Sequence, residues 1–312
     1  MDTLYLAFTV VFPLFSMMAL GYFLRQIHIF NARLCAEMNG LVFKVFLPLV
    51  LFLNVYQSDF ANAFSLRLVL FSIICVSACF LLLFFLIPRI EKDDKRRGVM
   101  IQGIGRSNFV LFGLPVTASL VGDENVGTAA ILISFAVPLF NVFSVIALET
   151  YSGRKPKPLA LLKSVLQNPL IIGALLGFVC MLTGMRIPPL IEDAAGDIAK
   201  IATPLALIVL GGSFEFAKVK ASAKQLVITV LGRLVLVPLV FLPIAYCMGF
   251  GDIEMVALLS MFASPTAVSS FTMAQSMGAD DELAGNVVVF GAVFAIITIF
   301  LWVTVYRLLG IV

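Results

Sequence analysis

The sequence predicts an all-α polytopic membrane protein of ten transmembrane helices, built as two inverted five-helix repeats. Three observations carry that expectation. Of 312 residues, 61% are hydrophobic and 12% charged, with a mean hydropathy of +1.09, whereas soluble domains run near half apolar and a quarter charged. Apolar runs close to the roughly 20 residues that cross a hydrocarbon core recur along the whole chain. Motifs of the first half return in order in the second, and the cluster GRKPKP at Gly153–Pro158 separates them. It sets a cytoplasmic linker at 153–159 between repeats 1–152 and 160–312.

The first apolar run, Leu4–Leu24, has Arg25 after it and no Lys or Arg before it, the reverse of a cleaved signal peptide. It counts as a retained helix over 4–24. Polar breaks then bound helices at 36–56, 66–88, 97–121, 126–150, 160–183, 190–213, 223–248, 253–277 and 284–309. Lys44 and Pro48 fall in the second, Arg106 and Pro115 in the fourth, Pro169 in the sixth, Pro204 in the seventh, Arg233 in the eighth and Pro265 in the ninth. Of 21 basic residues, 14 lie in loops on the side of Arg25 and four on the side of the termini. The positive-inside rule therefore puts both termini outside the cytoplasm.

Several function classes drop out at this level. The five cysteines show no CxxC spacing and lie mostly in apolar runs, so neither a disulfide framework nor a metal centre is indicated. His28 is the single histidine, too few for a metal site or a relay. The net charge of +3 reflects topology signals rather than a nucleic-acid surface. No cofactor and no catalytic residue is expected. Gly249-Phe250-Gly251-Asp252 fits the GxGD pattern of intramembrane aspartyl proteases, but no second aspartate stands at matching depth for a shared proton.

The repeat is visible in FPLFSMMALGYF from Phe12 and NPLIIGALLGFV from Asn168. Pro13 and Pro169 are 169 − 13 = 156 residues apart, as are Pro48 and Pro204. FGLP ending at Pro115 is aligned with FASP ending at Pro265. Five spans per repeat is an odd number, so the second copy enters the membrane upside down. That parity characterises secondary transporters with a site at the bilayer midplane.

Helices 4 and 9 carry the candidate site. A mid-span proline removes an amide and clashes with the preceding turn, so each helix is expected to unwind just before Pro115 or Pro265 and restart beyond it. The freed amides near Val116, Thr117, Thr266 and Ala267 would sit at positive dipole ends suited to an anion. The expected substrate-binding set is Arg106, Asn108, Gly113, Leu114, Pro115, Val116, Asn141, Ser264, Pro265, Thr266, Ser269 and Asn286, with Asn108 and Ser264 foremost. Arg106 either attracts the anion or snorkels to the cytoplasmic surface; Arg233 and Lys44 are expected to snorkel. Glu37, Asp59, Glu149, Asp197, Glu215 and Glu254 fall near helix ends, which argues against a proton antiporter built on a buried aspartate pair. Coupling to protons through Glu149 or Asp197, or to sodium through neutral oxygens, stays open.

The segments NGLVFKVFLPLVLF, SNFVLFGLPV, NPLIIGALLG, TPLALIVLGGSF and ASPTAVSSFTMAQSMGADDELA, in this order, resemble the auxin efflux carrier family, in particular its bacterial malate or malonate permease-like members. The resemblance implies crossed discontinuous helices 4 and 9, as in the sodium/proton antiporter and bile acid symporter folds, with scaffold and transport domains each drawn from both repeats. It further implies a homodimer in the bacterial inner membrane carrying a small organic anion, a carboxylate or dicarboxylate, by alternating access. In the family's plant auxin exporters an Asn precedes the proline at each crossover and contacts the substrate carboxylate; here those positions are Leu114 and Ser264, which points to an anion other than auxin. A sodium-coupled symporter of the bile acid type and a non-transporting sensor are the alternatives.

Overall fold

The computed structural model describes residues 2–57, 65–122, 125–152 and 158–311. Asp59 and most of the predicted linker lie outside the described residues. Helix is the only extended regular structure among them, and it occupies most of each stretch in which the sequence predicts a span; the sixth, expected over 160–183, is divided at Gln167–Asn168, where Asn168 is extended ahead of Pro169. In order these are α1 (Asp2–Gln26), α2 (Ala32–Leu41), α3 (Leu47–Tyr56), α4 (Leu66–Ile90), α5 (Asp94–Gly105), α6 (Leu114–Val121), α7 (Gly127–Thr150) and α8 (Pro158–Leu166). The second half holds α9 (Pro169–Thr183), α10 (Pro189–Lys200), α11 (Ala202–Ser213), α12 (Ala223–Leu231), α13 (Val237–Cys247), α14 (Asp252–Ala263), α15 (Ser269–Ser276) and α16 (Asp281–Leu308).

Polar residues at the helix starts satisfy amides that no turn can reach. Asn31 accepts from the Leu34 amide at 2.8 Å, Asn168 from Leu170 at 3.0 Å and Asp280 from Leu283 at 2.9 Å. Three π-helical turns interrupt the α geometry, at Val42–Phe46, Phe109–Gly113 and Gly232–Leu236. Each is followed two residues later by a proline: Pro48, Pro115 and Pro238. The widened turn takes up the clash and the lost hydrogen bond that the ring imposes, so the helix continues.

Among the described residues, six helical stretches are long and apolar enough to cross a membrane: Ala32–Tyr56, Leu66–Ile90, Gly127–Thr150, Pro189–Ser213, Val219–Cys247 and Asp281–Leu308. Large apolar side chains such as Ile74, Leu81, Leu176, Leu239 and Ile297 stand exposed on the outside. A surface of that kind meets lipid.

Two groups of close helix contacts stand out. In one, α1 lies along α11 and α3 along α9; in the other, α5 is wrapped by α4, α7, α12 and α16, and α14 by α7 and α13, while α1 against α16 and α3 against α7 join the two. Glycine makes the first group close. A methyl group at Gly21 would come within 1.9 Å of the Ile208 carbonyl oxygen, and one at Gly177 within 2.6 Å of that of Phe52. In lipid, helices gain from such backbone proximity because no hydrophobic force drives them together. The second group encloses its most buried members: Gly98–Gly105 of α5 and Met255–Ala263 of α14 are all buried.

Candidate functional site at the crossing of two interrupted helices

α5 ends at Gly105, Arg106 is extended with φ −95° and ψ 120°, and helix resumes only at Phe109. α14 ends at Ala263, Ser264 is extended with φ −65° and ψ 147°, and α15 begins at Ser269. Proline disfavours helical geometry in the residue before it, so Pro265 accounts for the second interruption. The two extended stretches meet. Ser107 and Thr266 form an antiparallel bridge, and the Asn108 amide donates to the Pro265 carbonyl at 2.7 Å. The Thr266 hydroxyl donates to the Gly103 carbonyl at 2.6 Å, and Gln102 Nε2 to that of Ser270 at 3.0 Å.

This corrects the expected position of the first interruption. It lies at Arg106–Asn108, not just before Pro115, which sits in continuous helix behind a π turn like Pro48 and Pro238. Consequently the first amides of the restarted segment belong to Phe109, Val110 and Leu111 rather than to Val116 and Thr117. Asn108 stands at that crossing, whereas Leu114, the residue before Pro115, lies in the helix beyond it.

A cavity of about 100 Å³ adjoins the crossing, lined by Arg106, Ser107, Asn108, Asn141 and Ser269 on its polar side. Arg106 is 5% exposed. Its Nη2 donates to Asn141 Oδ1 at 2.8 Å and to Ser269 Oγ at 2.7 Å, and its Nη1 meets the Met273 sulfur. Of the two readings the sequence leaves open, the guanidinium is thus held inside. No ion pair among the described residues involves it. A charge at bilayer centre costs about 2.5–3.5 kcal/mol on insertion scales, and two hydrogen bonds to a charged group, at about 1.5–3 kcal/mol each, offset it.

Arg233 is a second correction. Instead of snorkelling it is 2% exposed and bonded to four main-chain carbonyls. Lys44 is exposed on the surface.

The other expected residues disperse. Ser264 turns its hydroxyl back to the Ser260 carbonyl at 2.6 Å. Gly113, Leu114, Val116, Pro265 and Thr266 do not line the cavity. Pro115 lines a wider open groove of about 1010 Å³, which shares Val50, Asn54, Val110, Leu111 and Thr203 with the cavity and reaches Gln57, Glu192 and Asp197. Asn286 lines a separate pocket of about 170 Å³ at the other end, with Arg25, Glu215 and Asp281. Asn54 and Thr203 are cavity-lining polar groups that sequence reasoning missed, and neither has a polar counterpart 156 residues away by which the repeat could have flagged it.

Interrupted helices beside a largely apolar cavity that gathers a few polar groups on one side, inside a chain whose outer surface is apolar, define an integral membrane transport protein. The chain matches the family model described as membrane transport protein over residues 6–156 and 154–303, and it belongs to that family, the auxin efflux carriers. It is similar to the uncharacterized transporter YfdV of Escherichia coli K12, 24% identical over 305 residues with 96% of this chain and 97% of that one covered. An uncharacterized transporter of Methanocaldococcus jannaschii is 23% identical over 306 residues, covering 94% and 96%. One of Methanothermobacter thermautotrophicus is 21% identical over 295 residues, covering 94% and 96%.

Proposed function

We propose that this protein is a secondary carrier of small organic anions, carboxylates or dicarboxylates, working by alternating access across a bacterial inner membrane. The single observation that carries the reading is Arg106, a guanidinium enclosed at the crossing with neutral partners and facing the cavity beside Asn108. A carboxylate about 4 Å from it would gain about 4 kcal/mol at an effective dielectric near 20. The amides of Phe109–Leu111 add the positive end of a helix. The desolvation of Arg106 is met on folding, so the substrate bears only its own.

The mechanism takes the chain as ten spans in two inverted repeats. α4 spans 25 residues and so does the stretch Ala223–Cys247; α5 and α14 both span 12. The close contacts of Gly21 on Ile208 and Gly177 on Phe52 are related by the spacing that relates Pro13 to Pro169. Alternating access would then move the group containing α5 and α14, as transport domain, against the scaffold of α1–α3 and α9–α11, with both termini outside and a homodimer as the family resemblance suggests. In that orientation the wide groove opens outward.

The test is counterflow of radiolabelled mono- and dicarboxylates in proteoliposomes. Wild-type protein is expected to accumulate a C3–C5 carboxylate. Arg106→Ala, inserted at equal level, should lose about a hundredfold of that activity, because it removes most of the Coulomb attraction between guanidinium and carboxylate. Arg106→Ala carrying anions at the wild-type rate would sink the reading. Binding without flux would mark a sensor instead.

A further inference from the structure

Four carbonyls converge on one side chain where the interrupted helices meet. Arg233, in the π turn between α12 and α13, donates Nε to the Ser264 carbonyl at 2.8 Å and Nη1 to that of Ile104 at 3.2 Å. Its Nη2 donates to Met261 at 2.8 Å and Phe262 at 2.9 Å. Ile104 closes α5, Met261 and Phe262 close α14, and Ser264 lies in the interruption. Carbonyls in the last turn of a helix lack intrahelical partners and carry the negative end of its dipole. Oxygens of this sort, gathered from discontinuous helices at membrane depth, are the ligands such folds offer to sodium. Here the planar five-donor fork of an arginine occupies them.

We propose that Arg233 is a tethered counter-cation, a positioning residue that holds the carbonyl ends of α5 and α14 together and fills the place a monovalent metal ion would take. It follows, resting on the carrier reading above, that the anion moves without sodium. Substrate charge is met by Arg106 on the amide side of the crossing, while Arg233 balances the carbonyl side, and neither leaves the protein during the cycle. The arrangement also explains how a second buried cation is tolerated: all four of its bonds go to carbonyls that would otherwise be orphaned.

The experiment uses full-length protein, purified for thermal unfolding and reconstituted for flux, in chloride salts of sodium, potassium or N-methylglucamine. Wild-type midpoint and flux are expected to be the same in all three. Arg233→Ala should lose about tenfold or more of the flux. Its midpoint should rise by about 2–4 °C when 100 mM sodium replaces N-methylglucamine, as the emptied carbonyl set takes up the ion, and millimolar guanidinium should restore part of the flux. Arg233→Lys, which keeps a cation in place, should retain more flux than the alanine variant and show no sodium response. A sodium-dependent rise in the wild-type midpoint or flux overturns the proposal, whether or not Arg233→Ala folds. A folded Arg233→Ala that is indifferent to sodium overturns it too. The thermal arm needs no substrate, so absence of flux in every form would count against the carrier reading alone.

Discussion

The backbone amide of Asn108 donates to the carbonyl of Pro265 at 2.7 Å, across 157 residues of sequence (265 − 108). This bond ties the interruption of one helix to that of the other. Neither stretch could remain extended at membrane depth alone, since each unpaired backbone group in hydrocarbon costs several kcal/mol.

The prolines of the two interrupted spans, Pro115 and Pro265, should therefore behave differently. Pro265→Ala lifts a penalty of about 3 kcal/mol on continuing α14 through the crossing, and flux is expected to fall about tenfold or more with membrane insertion unchanged. Pro115→Ala acts within a continuous helix and should leave flux within about twofold. Side-by-side transport assays decide it; equal losses in both variants would contradict the observed position of the interruption.

Gly21→Leu is expected to destabilise the pairing of α1 with α11, because even its Cβ would lie 1.9 Å from the Ile208 oxygen. Overpacking costs about 1–3 kcal/mol, which corresponds to a midpoint drop of about 2–10 °C for a chain of this size. Gly40 has open space where a Cβ would stand, so Gly40→Ala should leave the midpoint in place, and the pair of measurements separates packing from a general intolerance of glycine replacement.

Glu91, at the end of α4, supplies a pH test. Burial raises the pKa of its carboxyl, but the amide of Asp93, the side chain of Gln225, the amide of Lys92 and the charge of Arg96 together hold it below the ordinary 4.5. Gln225 Nε2 sits 2.6 Å away and the Lys92 amide 2.7 Å. A depressed folded pKa contributes stability that is complete above 4.5 and is lost as pH falls through the folded value. Unfolding midpoints of wild type should drop over that acid range, while Glu91→Gln should be less stable near neutrality and flatter below pH 4.5.

Orientation can be read from cysteine labelling. Cys247 is exposed at the end of α13, whereas Cys35, Cys75 and Cys79 are buried. With both termini outside, a membrane-impermeant maleimide applied to intact cells should modify Cys247, and Cys247→Ser should remove most of the signal. Labelling that requires permeabilised cells would reverse the proposed topology.

Much of the helix pattern was legible because it depends on local sums. A run such as Leu66–Ile90 is apolar enough to be helix in lipid whatever it packs against, whereas the break at Asn168 ahead of Pro169, inside a span expected to be continuous, went unread. Asn108, Asn141, Arg106 and Ser269 stood out as polar groups in apolar helices, and all four line one cavity. Arg233 carried the same signal yet was expected to snorkel, since nothing local reveals that four carbonyls from two other helices converge on it.

Composition, periodicity and charge asymmetry by themselves determined an integral, all-helical membrane protein and singled out its polar positions. Tertiary structure alone decided where the fourth predicted span is interrupted and which basic residues stay inside. Pro115 and Pro265 are alike to any reading along the chain. A proline breaks a helix or merely widens a turn according to whether distant groups take the freed amides and carbonyls. At Ser264–Val268 those groups are the extended stretch Arg106–Asn108, itself without a proline, and Arg233, brought together only by the fold.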